Sequence, residues 1–216
     1  MDQKEIFKSS EGDAWFSRNK DALRKIDFER DPLIDEIKNL LSSRLTATQD
    51  KLNILEVGCG DGSRSGFISE AFDCNVYGID PSPKAVESAN LKGLIASIGT
   101  AETLPYPDKT FDILIFGFCL YLCDRKDLES IANEASRVLK DNSWLLIMDF
   151  FSDEITENRY SHHKNIKSFK MDYRKIFEID HSYVCYSHKI IDHETHDFTD
   201  VKDNWISISL MRRIKK

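Results

Sequence analysis

The chain has 216 residues, 41% of them hydrophobic and 31% charged, a composition that suits one globular domain with a substantial core. Its formal net charge of −7 disfavours a nucleic-acid partner, whose phosphates need clustered Lys and Arg, and favours a small-molecule ligand. Because no apolar run approaches the roughly 20 residues of a membrane span and no secretory signal begins the chain, we expect a cytoplasmic protein without membrane contact.

The first fifty residues are predicted to be helical. Asp31 is a favourable N-cap, and Pro32 suits the first position of a helix that runs to about residue 41. Apolar residues then recur at helical spacing and give this helix one face to pack on a sheet. They are Leu33, Ile34, Ile37, Leu40, Leu41 and Leu45.

Residues 12–19 carry two adjacent aromatic side chains, Trp15 and Phe16, followed by Arg18 and Asn19. One interpretation is a helix that its aromatic residues anchor to the core. The other is a lid in which the aromatic rings exclude water and the polar pair contacts a carboxylate or an acceptor. In the second interpretation residues 1–50 form an N-terminal helical lid over the domain formed by residues 51–216.

Residues 53–62, NILEVGCGDG, are predicted to form a buried strand that ends in a glycine loop, with a helix starting at Ser63. A loop of this kind brings several backbone N–H groups and the positive end of a helix dipole to one point. Glycine lets the backbone turn tightly and lets a ligand approach without a Cβ in the way. The stretch therefore predicts a ligand site, with a purely structural turn as the alternative.

The loop departs in two ways from the dinucleotide fingerprint G-x-G-x-x-G. Its pattern is G-x-G-x-G, with Ser63 at the place of the third glycine. Glu56, two residues before the first glycine, adds a negative charge that a pyrophosphate would oppose. Both features disfavour NAD and favour a ligand with an amino group and no phosphate.

Strands and helices are predicted to alternate after the loop. Strands are expected at 74–80, 94–98, 111–118 and 143–150, and helices at 82–92 and 127–140. This alternation predicts a doubly wound α/β fold, whose ligands bind at the carboxyl ends of the parallel strands. Two further strands are expected at 181–191 and 204–214, joined by a polar turn.

Asp80 ends the second of these strands, twenty residues after Gly60. A carboxylate at this place can accept hydrogen bonds from both hydroxyls of a ribose. The alternative is an Asp that caps the next helix before Pro81. A ribose occurs in NAD and in other nucleoside cofactors, so this residue does not choose between them.

Three segments in order carry a family resemblance. They are residues 56–62 (EVGCGDG), residues 99–112 (GTAETLPYPDKTFD), and residues 116–121 (FGFCLY) followed by RVLK at 137–140. Together they resemble the class I S-adenosylmethionine-dependent methyltransferases, in particular the small-molecule branch known as type 11. The resemblance covers residues 52–150. It implies a mostly parallel seven-stranded, Rossmann-like sheet with an antiparallel last strand.

The resemblance also implies S-adenosyl-L-methionine as the cofactor and S-adenosyl-L-homocysteine as its product. The glycine loop would hold the methionine part, Glu56 its amino group, Asp80 the ribose and Glu102 the adenine end. The full set of expected cofactor-binding residues is Glu56, Gly58, Cys59, Gly60, Gly62, Asp80, Pro81, Ala101, Glu102, Phe118, Trp15, Arg18 and Asn19.

Residues 159–175 hold six cations and one anion in an otherwise acidic chain. One interpretation is a solvated loop and helix. The other is an acceptor-site insertion at about 151–180 for an anionic small molecule, phosphorylated or linked to a nucleotide or glycan, methylated on oxygen or nitrogen. The expected substrate-binding residues are Tyr160, Lys164, Lys167, Lys170 and Tyr173.

The candidate catalytic residues are His162, His163 and Tyr121, since imidazole titrates near neutral pH and tyrosine is a weaker base candidate. His193 and His196 lie with acids in the predicted polar turn, and we expect a solvated turn there and no metal. The five cysteines show no C-x-x-C spacing, which favours reduced thiols. A non-catalytic cofactor-binding accessory protein and a NAD-dependent enzyme remain open alternatives.

Overall fold

A seven-stranded sheet is the centre of the fold in the computed structural model, which describes residues 2–43, 51–178 and 182–214. The strands are β1 (Asn53–Val57), β2 (Asn75–Asp80), β3 (Ile95–Ile98), β4 (Phe111–Gly117), β5 (Leu139–Phe150), β6 (Thr156–Arg159), β7 (Lys167–Lys170), β8 (Tyr183–Asp192) and β9 (Trp205–Arg213). The sheet order is β3-β2-β1-β4-β5-β9-β8, while β6 and β7 pair separately.

Strands β1 to β5 pair in parallel, whereas β9 is antiparallel to both of its neighbours, β5 and β8. The predicted mostly parallel seven-stranded sheet with an antiparallel last strand is therefore confirmed. The predicted strand at 181–191 is observed as β8, and His181 lies outside the described residues.

The helices are α1 (Gln3–Ile6), α2 (Gly12–Leu23), α3 (Pro32–Ser42), α4 (Ser63–Phe72), α5 (Pro83–Leu91), α6 (Leu128–Val138) and α7 (Lys175–Glu178), with a π-helical turn at Phe7–Glu11. Asp31 caps α3 as predicted, since its Oδ1 accepts the Leu33 N–H at 2.8 Å. The predicted helix at 127–140 ends at Val138, because Leu139 already belongs to β5. Leu45 lies outside the described residues.

Alternate residues of the strands face two separate cores. In β4, Ile113 and Ile115 pack with α3 and α4, whereas Leu114 and Phe116 pack with α6 and α7. Burial on both faces explains why the strand is a continuous apolar run rather than an alternating one. No helix in the described ranges has both the length and the apolar character that a membrane span requires.

A buried ion network ties three elements together beside the glycine loop. Arg64 in α4 donates from Nε to Asp31 Oδ2 and from Nη1 to Glu56 Oε1, each at 3.0 Å. Gly117 at the end of β4 leaves the room for this guanidinium, since a Cβ there would lie 2.4 Å from Arg64 Nη1. The cap of α3, the end of β1 and the start of α4 are thus held by one cation that the sequence motifs did not single out.

Replacing Arg64 with methionine should lower the free energy of unfolding by about 3–5 kcal/mol, because two buried carboxylates would lose their shared cation. The measurement is urea unfolding of both proteins near neutral pH. Arg24→Met is the matched control, since Arg24 and Asp21 form an exposed pair with side chains 69% and 75% accessible. We expect the control to change stability by less than about 1 kcal/mol, and an equal effect of both substitutions would contradict the role given to Arg64.

Candidate active site

The glycine loop after β1 is fastened to the end of β2 by three backbone donors. The N–H groups of Gly58 and Cys59 donate to Ile79 O at 2.8 and 3.1 Å, and the Gly60 N–H donates to Asp80 Oδ2 at 2.9 Å. This arrangement follows from the parallel pairing of β1 and β2, which brings the ends of both strands to the same edge.

Gly58 cannot be replaced without strain. Its φ of +76° belongs to the left-handed region, and a Cβ would lie 2.7 Å from Cys119 Cβ on the loop that follows β4. The glycine therefore lets two loops at the carboxyl edge of the sheet approach each other closely.

Asp80 presents a carboxylate at this edge. Its Oδ1 accepts the Ser82 N–H and its Oδ2 accepts the Gly60 N–H, both at 2.9 Å. Burial raises the pKa of Asp80 to about 6, although the two N–H donors oppose the shift. Each carboxylate oxygen keeps further capacity to accept hydrogen bonds from a ligand.

A half-open cavity, with about 780 Å³ of empty space including its mouth, lies at the carboxyl ends of β1, β2, β3 and β4. Seven of the predicted cofactor residues line it: Trp15, Gly58, Asp80, Pro81, Ala101, Glu102 and Phe118. These residues come from the N-terminal segment and from four different strand ends, so the fold brings together side chains that are up to about a hundred positions apart.

The six other predicted cofactor residues do not line the cavity. Glu56 is buried and bonded to Arg64 and Ser65. Arg18 pairs with Glu11, and Asn19 donates to Trp15 O at 2.8 Å. The remaining three, Cys59, Gly60 and Gly62, belong to the glycine loop but are not among the residues that line the cavity.

Glu102 has a buried oxygen, Oε2, without a hydrogen-bond partner among the described residues. A buried acceptor in this condition costs free energy unless a donor reaches it, so it suits a ligand that carries an N–H group. Lys4 also reaches the cavity wall, but its ammonium lies 3.0 Å from Asp127 Oδ2 and has a protein partner.

The N-terminal segment crosses the cavity and is anchored at both of its ends. Gln3 accepts the Lys167 N–H at 2.6 Å and donates to Leu122 O at 2.8 Å. Asp13 accepts from the Ser82 hydroxyl at 2.6 Å, beside the start of α5. Through these anchors the segment adds residues to the wall that the sequence motifs missed, namely Lys4, Phe7 and Gly12.

The histidines proposed as bases lie away from the cavity. His162 and His163 belong to the turn between β6 and β7, and neither is among the lining residues. His163 Nδ1 accepts the Asn165 N–H at 3.3 Å within the same turn. Tyr121 lies nearer, since burial raises its pKa and the neighbouring side chain of Trp15, which lines the cavity, opposes that shift.

The basic segment is dispersed rather than gathered on the cavity. Lys167 pairs with Glu157, and Lys170 donates to Asp203 O, while Lys164 is exposed in the hairpin turn. Tyr160 donates to Glu11 Oε1 at 3.0 Å. Burial and Glu11 together raise the pKa of Tyr160 to about 12.

The expectation that Tyr173 binds substrate needs correction. Its side chain is only 1% exposed and belongs to the core cluster on the α6 side of the sheet. The hydroxyl donates to Phe169 O at 3.0 Å, which satisfies it inside the protein. Tyr173 is therefore placed to support the hairpin, since a buried ring cannot contact a substrate.

Four rings form what we call the aromatic platform: Phe118, Tyr121, Phe150 and His193. Phe150 is the centre, with ring centroids 5.3 Å from Phe118, 5.0 Å from Tyr121 and 5.2 Å from His193. Phe118 has a φ of +55°, a conformation that costs a non-glycine residue about 1–2 kcal/mol. The described residues include no group of three or more His, Cys, Asp or Glu arranged to hold a metal ion.

Comparison with known proteins identifies the central part of the chain. Residues 55–147 match the family model described as a methyltransferase domain. The ajmaline N-methyltransferase of Rauvolfia serpentina is 28% identical over 119 residues, covering 50% of this chain and 40% of the relative. The fatty-acid O-methyltransferase of Mycolicibacterium smegmatis is 30% identical over 113 residues, with the same two coverages. The matches thus span 40% of the length of these relatives.

A solved structure extends the likeness to nearly the whole chain. The Burkholderia thailandensis 1,6-didemethyltoxoflavin-N1-methyltransferase, with bound 1,6-didemethyltoxoflavin and S-adenosylhomocysteine, has a TM-score of 0.70 at 14% identity. The superposition covers 95% of this chain and 87% of that one, and at this identity it shows the fold alone. Over residues 55–147 the chain is therefore similar to methyltransferase domains, and its fold is that of the solved methyltransferase structure.

Proposed function

We propose that the protein is an S-adenosylmethionine-dependent methyltransferase that methylates an oxygen or nitrogen of a small molecule. The observation that carries this proposal is one cavity at the carboxyl edge of the sheet, around which Gly58, Asp80 and Glu102 lie together. Each of the three provides a feature that one part of the cofactor requires.

The donor set fits the cofactor. Asp80 has two carboxylate oxygens for the hydroxyls of a ribose, and Glu102 has a buried oxygen that lacks a donor, as the amino group of an adenine would supply. The backbone at Gly58, free of a Cβ, suits the methionine part. When bound, S-adenosylmethionine supplies a methyl group that a sulfonium already activates.

The protein's own residues would mainly position the reactants. Alignment of two reacting groups can contribute about 7–11 kcal/mol to lowering a barrier, so a strong base is not essential. We propose that residues 1–50 act as a lid, since Phe7, Gly12 and Trp15 from this segment form part of the wall and would exclude water. His162 and His163 could act as bases only after the β6–β7 hairpin moved toward the cavity.

The acceptor we propose is anionic, with residues 151–180 as its insertion. Lys170 supports this proposal, because its ammonium lies 5.8 Å from the centre of the Phe150 ring, on the aromatic platform. The names of the two relatives, an N-methyltransferase and an O-methyltransferase, give no choice between nitrogen and oxygen.

A second candidate function is cofactor binding without catalysis. It is favoured by the composition of the wall, in which no histidine or tyrosine occurs among the described lining residues. The two functions differ in one observable, which is the formation of S-adenosylhomocysteine when an acceptor is supplied.

Calorimetric titration with S-adenosylmethionine, S-adenosylhomocysteine and NAD tests the proposed cofactor. We expect both adenosyl ligands to bind, NAD not to bind, and Asp80→Ala to abolish the binding because the ribose loses its acceptor. Circular dichroism of the variant would confirm that it is folded. Binding of NAD alone would overturn the proposal.

Affinity for S-adenosylhomocysteine should depend on pH through Asp80. The carboxylate form accepts the ribose hydroxyls, so ligand binding favours deprotonation and affinity is present above the unliganded pKa of about 6. As pH falls below 6, Kd should rise by up to about tenfold per pH unit. In Asp80→Asn the binding should be weaker and flat over this range, and an unchanged pH profile in that variant would assign the dependence to another group.

Gly58→Ala should weaken cofactor binding and destabilise the fold by about 1–2 kcal/mol or more, because the new Cβ enters a left-handed backbone position and meets Cys119. Gly66→Ala in α4 is the matched control, since a Cβ there has nothing within 4 Å. The control should gain about 1 kcal/mol from helix propensity. Thermal unfolding and calorimetry measure both effects, and equal behaviour of the two variants would refute the argument.

Lys170→Gln should raise the KM for an anionic acceptor by about fivefold or more, while its neutral amide analogue should be unaffected, because the variant removes a charge beside the platform. Lys164→Gln is the control, since Lys164 lies exposed in the hairpin turn. The measurement is release of S-adenosylhomocysteine with matched acid and amide compounds. An equal effect of both substitutions would show that Lys170 acts only through the general surface charge, and would contradict a specific role for it.

A further inference from the structure

We infer that the aromatic platform of Phe118, Tyr121, Phe150 and His193 is the acceptor subsite and that it selects planar, ring-shaped acceptors carrying a hydroxyl or amino group. This inference rests on the proposed function and deepens it, since it names the class of molecule that the site would take. It is argued from the placement of the rings relative to the cavity.

The platform adjoins the cofactor cavity through two of its members. Phe118 is itself a lining residue, and Tyr121 lies beside Trp15, which also lines the cavity. A molecule on the platform would therefore lie beside a ligand in the cavity, at the same edge of the sheet.

The platform is fixed in place by Asp149, which is fully buried at the end of β5. Its Oδ2 accepts the N–H groups of Leu120 and Tyr121 at 2.8 and 3.3 Å, and its Oδ1 accepts the Phe150 N–H at 2.8 Å. One carboxylate thus sets the backbone of two ring-bearing residues from different strand ends. Together with the strained φ of Phe118, this indicates a surface built for a purpose beyond core packing.

The rings leave surface for a ligand. Phe118, Tyr121 and Phe150 are only partly buried, and His193 is exposed. Ring pairs prefer offset or edge-to-face contacts with centroids 4.5–7 Å apart, so a planar ligand finds several partners here, whereas a puckered saturated ring does not.

His193 supplies the polar member of the platform. Its ring contacts both Phe118, at 5.5 Å, and Phe150, and its backbone N–H is held by Asn204 O at 2.9 Å. Although the residue as a whole is exposed, partial desolvation of its ring against Phe118 and Phe150 lowers the pKa of His193. Lys170 and His196 act in the same direction, and Asp192 and Glu194 oppose it. A neutral imidazole keeps one ring nitrogen as an acceptor for the hydroxyl or amino group of the ligand.

Binding of matched probes to the protein loaded with S-adenosylhomocysteine tests this inference. The planar probes are 4-hydroxybenzoate and 6-hydroxynaphthalene-2-carboxylate, and the saturated probe is trans-4-hydroxycyclohexanecarboxylate, which carries the same charge and hydroxyl. We expect the planar probes to bind at least about three- to tenfold more tightly than the saturated one, as measured by calorimetry and saturation-transfer NMR.

Phe150→Leu should reduce the affinity for the planar probes by a similar factor and leave that for S-adenosylhomocysteine unchanged. His193→Leu should reduce it too. Phe198→Leu is the matched control for the phenylalanine, since that ring is 88% exposed outside the platform. If a variant fails to fold, the comparison of planar and saturated probes on the unmodified protein still tests whether the platform selects planar ligands.

Equal binding of the planar and saturated probes, or unchanged planar-probe affinity in Phe150→Leu, would overturn the inference. The inference would also be overturned if S-adenosylhomocysteine bound and no planar probe did. In that case the proposed function would be retained without it. Failure of S-adenosylhomocysteine itself to bind would instead remove the proposed function, and this inference with it.

Discussion

The hydrogen bonds between the glycine loop and the end of β2 are the constraint on which the rest of the site depends. The N–H groups of Gly58 and Cys59 converge on one carbonyl, that of Ile79, while Gly60 reaches the Asp80 carboxylate. Because two adjacent strands are joined in this way, the loop and the acid cannot shift independently. The distance between the glycine loop and the Asp80 carboxylate is thereby set by the backbone geometry of two paired parallel strands.

Two acids near this loop illustrate how burial and partners separate structural from ligand-binding carboxylates. Glu56 is bonded to Arg64 and Ser65, so its charge is neutralised inside the protein. Asp80 has only N–H donors, and burial raises its pKa to about 6. Because Arg64 and Ser65 already bond to the Glu56 carboxylate, its charge would repel a pyrophosphate less than its position in the sequence indicates. Glu56 is therefore weaker evidence against NAD than the sequence alone indicated. The open capacity of Asp80 is the feature that favours a ribose.

The sequence predicted the elements well where the physics is local. The N-cap Asp31, the apolar run of β4 and the alternation of strands and helices depend on neighbours in the chain, and a parallel sheet then dictates that Asp80 and the glycine loop meet. Contacts distant in sequence were not predictable in the same way. Gln3 bonds to Lys167, and His193 of the predicted solvated turn packs on Phe118, because loops fold back over the edge of the sheet. Tyr173 was expected to bind substrate because it lies in the basic segment, but its side chain is buried, since composition does not reveal which face a residue takes.

The proposed acceptor subsite draws on residues both inside and outside the matched range. Residues 55–147 supply most of the cavity lining, whereas Lys4, Phe7, Gly12 and Trp15 come from the N-terminal segment. The relatives that match this range have names that refer to both nitrogen and oxygen acceptors. Of the platform, Phe118 and Tyr121 lie within that range, whereas Phe150, His193 and the nearby Lys170 lie beyond it. A fold that keeps the cofactor geometry fixed at strand ends can therefore vary its acceptor through later segments that pack on the same edge.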